Sequence, residues 1–131
     1  MQPKPYAAAA FLTSSGGDLV HMITPHEGKP YNVWCSQADL EAVAAAIEAH
    51  HGAPIAATQL AHEVGIPTIA FNVAIDFLIE CGLLAASDGT YTARGAKTRD
   101  WAIARYMEIR TMWDPRAKGD EIDPEALRQL W

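Results

Sequence analysis

Between Tyr31 and Ala93 the chain has no lysine and no arginine, while seven carboxylates fall there: Asp39, Glu41, Glu48, Glu63, Asp76, Glu80 and Asp88. With a net charge of −6 and a pI near 5.2, this disfavours strong non-specific nucleic-acid binding by the whole molecule and leaves room only for a local basic patch. Cysteine is equally scarce. Cys35 and Cys81 make no disulfide framework, which suits a reducing cytoplasm. No apolar run approaches the roughly 20 residues of a membrane-spanning helix, so no membrane association is expected. The start, Lys4 followed by Ala7 to Leu12, is too short an apolar run for a signal peptide. No CxxC, HExxH, P-loop or GxGxxG spacing occurs, and no carboxylate pair stands out as an acid–base couple. No enzyme, metal or cofactor is expected from this pattern.

What is present is an apolar chain of 131 residues, half of them hydrophobic, enough for one domain with a real core. Its charge is segregated. From Arg94 to Lys118 there are seven basic and three acidic residues, and from Gly119 onward the balance turns acidic again.

The chain is organised around Gly65 to Leu84. Gly65 can close a preceding helix in the left-handed conformation, Pro67 suits a first helical turn, and Gly82 can end the helix. Phe71, Ala74, Ile75 and Leu78 recur at the spacing of one inward face. Ile69, Val73 and Phe77 form a second apolar stripe where a surface helix is normally polar.

Upstream, Ser36 with Asp39 reads as an N-cap and an acidic N3 residue. They precede a helix with Leu40, Val43, Ala44 and Ile47 on one face. His50 and His51 close that helix, where imidazole suits the dipole. Thr58 to Val64 is a short second helix. Ser87-Asp88-Gly89 between Leu83–Ala86 and Thr90–Ala93 signals a hairpin. Thr98 to Trp113 is a long amphipathic helix stopped by Pro115, and Asp123 with Pro124 starts a short terminal helix. In residues 1–35, Phe11–Thr13 and Leu19–Thr24 can form a hairpin and Tyr31–Trp34 a further short strand. Tyr31, Val33 and Trp34 are expected to anchor this arm. His21 and His26 with Glu27 are the only candidate metal ligands, and Cys35 would be reactive only if exposed.

The order helix, short helix, turn, helix, hairpin over Gly52 to Gly95 resembles the winged helix-turn-helix superfamily, as found in bacterial regulators and before some methyltransferases. The matching features are Leu60-Ala61, Gly65-Ile66, Leu78, Gly82-Leu83-Leu84, Asp88-Gly89-Thr90-Tyr91 and Gly95. The resemblance implies a mainly α fold with a small β-hairpin wing. Residues 1–35 would be an arm, 36–95 the winged helix, 96–115 a dimerisation-type helix, and 116–131 a linker and short helix.

It also implies that the third helix would read DNA through Thr68, Ile69, Asn72, Val73, Asp76, Phe77 and Glu80. Only Thr68 and Asn72 suit bases or phosphates, and Asp76 and Glu80 carry the wrong sign. The apolar stripe asks for a cover instead: the chain's own arm or last helix, another protein, or a second copy. The residues therefore favour a non-enzymatic interaction module, regulatory in role. Its expected interface is Ile69, Val73 and Phe77, with Trp101, Tyr106, Ile109 and Trp113 on the long helix of a homodimer. The alternative is a dimeric DNA-binding regulator that touches DNA through Arg94, Lys97 and Arg99 beside the wing, with Thr68 and Asn72. Arg105, Arg110, Arg116 and Lys118 would extend that positive segment.

Overall fold

Ser36 leaves the extended backbone with φ −72° and ψ 162°, and its Oγ accepts the Asp39 N–H at 3.1 Å. That bond satisfies one of the free amides of a helix start and fixes where α1 (Gln37–Ala49) begins. The computed structural model describes residues 6–113. Along them run β1 (Tyr6–Thr13), β2 (Leu19–Pro25), β3 (Tyr31–Cys35) and α1. Next come β4 (Ile55–Ala56), α2 (Ala57–Val64), α3 (Thr68–Glu80), β5 (Leu84–Ser87), β6 (Thr90–Ala93) and α4 (Thr98–Trp113). Residues 114–131, with the expected linker and terminal helix, lie outside the described residues, as does the Trp113 side chain.

Glycine at left-handed φ performs the stops that the sequence pattern required. Gly65 (φ 67°) ends α2, and the Gly65 N–H bonds to the Ala61 carbonyl. Gly82 (φ 75°) follows α3, with the Leu83 N–H reaching the Leu78 carbonyl at 2.9 Å, the longer bond of a Schellman stop. Asp88 and Gly89 both have positive φ, the requirement of the tight turn between β5 and β6.

The expectation of a mainly α fold is corrected. Among the described residues four helices are joined by two antiparallel sheets of three strands each, a mixed α/β architecture. The first sheet has order β1-β2-β3, with Phe11 opposite His21 and His21 opposite Val33. The second has order β4-β6-β5; Ile55 opposite Tyr91 adds a two-residue strand to the expected hairpin. The first sheet was underestimated because β1 reads YAAAAFLT. Alanine is a poor strand former, so local preference did not announce the strand that tertiary pairing makes.

The core gathers Leu40, Val43, Ala44 and Ile47 of α1 and Leu60 of α2. To these it adds Phe71, Ala74, Ile75 and Leu78 of α3, Leu84 of β5, and Ala102, Tyr106 and Ile109 of α4. Helix α3 lies in the middle, against α1 on one side, β5 on another and the first sheet on a third, while α4 packs on α1 and β1. Among the described residues no single helix is long and apolar enough to cross a membrane. α2 and α3 together are apolar enough, but they are bent by 119° at the turn between them, and α3 is a core helix.

Candidate functional site

The first sheet closes over most of the second apolar stripe of α3. Val73 and Phe77 are each 1 % exposed. Phe11 of β1 meets Phe77 edge-on with ring centroids 5.2 Å apart, and stacks on His21 of β2 at 4.1 Å. Val73 and Phe77 are therefore core residues of this chain, not an outward interface. The helical period was right. What the sequence could not give was the identity of the cover.

Burying His21 in this layer pushes its pKa down to about 4, because an imidazolium loses its hydration there. Its Nδ1 lies 3.7 Å from an Asp76 carboxylate oxygen, and burial raises the Asp76 pKa. His21 is thus a neutral member of the sheet–helix layer rather than a ligand beside the exposed His26.

At the N-terminal end of α3 the cover stops. Ile69 is 60 % exposed, and across a cleft of about 490 Å3 stands Trp34 of β3, 58 % exposed. Asn32, Val33, Cys35 and Ser36 continue the β3 wall; Pro67 and Ala70 complete the α3 wall; Asp18 and Asp39 supply charge. Tyr31 and Trp34, expected to anchor the arm inward, are at the surface instead; Cys35 does that work and is buried. The Cys35 thiol is pushed up to about 12, first by burial and then by Asp39 and Asp18, so it is no nucleophile. Sequence reading missed this cleft. Its one signal was Trp34 beside a polar Asn32 on a short strand.

Helix α4 divides its aromatic residues. Ala102, Tyr106 and Ile109 are buried, and the Tyr106 hydroxyl donates to the Gly17 carbonyl in the β1–β2 turn. Tyr106 and Ile109 are consequently internal and not part of an interface. Trp101 (64 % exposed) and Met112 (56 %) stay at the surface, on one line of the helix with Arg105 and Glu108, which are ion-paired at 2.8 Å. Met107 is also exposed.

The proposed DNA contacts fall in two separate places. Thr68 and Asn72 are exposed on α3. Arg94, Lys97 and Arg99 are exposed past β6, where Arg94 helps line a hollow of about 350 Å3 with Glu48, His51 and Gly52. His50 bonds Glu63 at 2.9 Å and ties α1 to α2, a structural use of the residue that ends α1. Cys81 is only half-buried, its thiol pushed up to about 11 chiefly by burial. Among the described residues no three His, Cys, Asp or Glu side chains come together as a metal site.

No family model, curated protein or solved structure matches this chain. The assignment of function therefore rests on the residues above.

Proposed function

We propose that the chain is a non-enzymatic, regulatory protein-interaction module on a winged helix-turn-helix frame, working as a homodimer in a reducing cytoplasm. The observation behind this reading is where large apolar side chains remain in water. Of the stripe of α3 that a DNA reader would present, Val73 and Phe77 are under the first sheet, whereas Trp101, Met107 and Met112 stand on the outer side of α4. Tryptophan and methionine are enriched where proteins meet. Trp101 and Met112 are eleven residues apart, about 16 Å along a helix. Two antiparallel α4 helices would set Trp101 of each against Met112 of the other, a self-complementary contact of the kind two-fold dimers require. The charges between them, Arg105 and Glu108, are equally self-complementary.

Light scattering behind size exclusion tests this directly. A species of twice 14.2 kDa is expected at tens of micromolar, and Trp101→Glu with Met112→Glu should return it to 14.2 kDa. A monomer in the unaltered chain overturns the reading.

A second reading is favoured by one observation: Arg94, Lys97 and Arg99 are all exposed beside the β5–β6 hairpin. A dimer could bind DNA backbone through two such clusters without using α3. Polarisation of a labelled duplex at two salt concentrations separates the readings. DNA affinity that falls steeply with salt and disappears in Arg94→Ala with Arg99→Ala would carry the second.

A further inference from the structure

We infer that the free edge of β3 is a strand-addition site for an extended peptide that carries Arg or Lys beside apolar side chains. The site is separate from the α4 surface and does not depend on dimerisation.

The geometry comes first. β3 is the last strand of the order β1-β2-β3, and residues 31–35 pair in register with residues 19–23 of β2. Side chains of a strand alternate between faces. A hollow lying on one face would touch every second residue. The 490 Å3 cleft is lined instead by consecutive residues from Asn32 to Ser36, as a hollow beside the strand would be, and among the described residues no strand pairs with β3 on its other side. Its opposite wall is the start of α3, with Pro67, Ile69 and Ala70. An edge strand facing a helix across a groove is the arrangement in which peptides add a strand. Backbone bonds give affinity there, and pockets for alternate side chains give specificity.

The edge is also unprotected. Natural sheets blunt their edges with lysine, proline or a bulge. Within Tyr31–Cys35 there is no lysine or proline, and its register with β2 is unbroken. The opposite edge strand, β1, has a register shift between Tyr6 and Ala8 and lies against α4. The two edges of one sheet are thus treated differently, and the undefended one opens on the cleft.

The lining chooses the occupant. Trp34, Val33, Pro67 and Ile69 offer apolar contact, and the Trp34 face can also receive a cation. Among the described residues Asp18 and Asp39 are the only charged ones in the lining, and their field reaches Cys35, since both help raise its thiol after burial does. Such a site repels phosphate and acidic segments and attracts a basic, apolar strand.

The test uses the full-length 15N-labelled chain and a blocked heptapeptide of alternating valine and arginine. Saturable shift changes confined to residues 18, 31–36, 39 and 67–70 are expected, with slowed amide exchange along β3. Binding should weaken at least tenfold in Asp18→Asn with Asp39→Asn, in Trp34→Ala, and in Ile69→Lys, a change at an exposed position. A peptide with glutamate for arginine, or N-methylated on alternate residues, should fail to bind. Trp101→Glu with Met112→Glu should leave peptide binding unchanged, so the failure of the dimer and the failure of this site are distinguishable. No shifts up to about 1 mM, equal binding of the glutamate or N-methylated peptide, or shifts centred elsewhere would overturn the proposal. So would concentration-dependent shifts at residues 31–35 without peptide, which would assign the edge to a second copy.

Discussion

The sheet of β1, β2 and β3 buries Leu12, Thr13, Leu19, His21, Met22 and Cys35, while the sheet of β4, β6 and β5 buries Ile55 and Leu84 among the described residues. Both are three-stranded and antiparallel, and both flank α3. They differ in what lies under them. The first sheet lays a continuous row, Phe11, His21 and Val33, toward a helix that has apolar residues on that side. The second offers short strands whose outer residues face water, pinned at one end by Leu84. One sheet is a cover that determines which parts of α3 can be reached; the other is a smaller sheet anchored through Ile55 and Leu84, with its neighbouring cations accessible. An element's secondary structure therefore says little about its role until its buried face is known.

The sharpest way to break the comparison is to remove the ring on which the first sheet rests. Phe77→Ala deletes the contact with Phe11 in a fully buried layer, and such changes cost about 3–5 kcal/mol. Urea unfolding should show this as a lower midpoint. The matched change on the second sheet, Ala86→Ser at an exposed strand position, should stay within about 0.5 kcal/mol. Equal effects would mean that the first sheet is not a structural cover.

The same layer predicts a pH dependence that the second sheet lacks. His21 titrates near 4 when folded and near 6.5 when unfolded, so between those values the unfolded chain binds more protons. Stability is then complete above about pH 6.5 and is lost as pH falls toward 4, by about 3 kcal/mol in all. Asp76, the acidic neighbour, has its own pKa raised by burial. Unfolding free energies measured from pH 7 to pH 4 should show the loss, and His21→Phe should flatten it. A slope unchanged in His21→Phe would assign the effect to other groups.

Much of this arrangement was legible in the residues. Caps and glycines are local chemistry, so Ser36, Gly65, Gly82 and Asp88-Gly89 placed α1, α2, α3 and the hairpin closely. Thr98 to Trp113 followed from its periodicity and Pro115. What could not be read was tertiary. Periodicity showed that α3 has two apolar faces but not that β1–β3 covers the second, so Val73 and Phe77 were placed outside. On α4 it could not tell that Tyr106 and Ile109 face inward while Trp101 stays in water. The cleft between β3 and α3 was invisible for the same reason, since its two walls are more than 30 residues apart in sequence. The residues that face a groove follow from packing, and packing is not written in any one stretch.

A smaller effect separates the two hairpins through Tyr106. Its buried hydroxyl donates to the Gly17 carbonyl and so fastens the β1–β2 turn to α4. Tyr106→Phe leaves that carbonyl without its donor and should cost about 1–2 kcal/mol in urea unfolding. At Gly89 no side chain makes such a tie; its carbonyl accepts the Ala57 backbone N–H at 2.9 Å, which joins that turn to the start of α2.

The finest comparison sets Gly17→Ala against Gly89→Ala. Both glycines have positive φ, 89° and 77°, so alanine meets the same left-handed cost of roughly 1–2 kcal/mol at either. Alanine also restricts the unfolded chain, which offsets about 0.4–1 kcal/mol. Gly89→Ala should therefore lose about 1 kcal/mol, because nothing lies within 4 Å of the added carbon. At Gly17 the added carbon would stand 3.3 Å from the Tyr106 hydroxyl and 3.5 Å from an Arg110 guanidinium nitrogen. The arginine can swing away, but the tyrosine is buried and held by its own hydrogen bond, so the turn must shift. Gly17→Ala should exceed Gly89→Ala by about 1 kcal/mol or more. In Tyr106→Phe the added carbon no longer meets a hydroxyl, so the excess should shrink in the double variant. If the two alanines cost the same in the unaltered chain, the β1–β2 turn is not held by the Tyr106 side chain, and the contrast between a turn fastened by a buried side chain and one fastened by a single backbone bond fails.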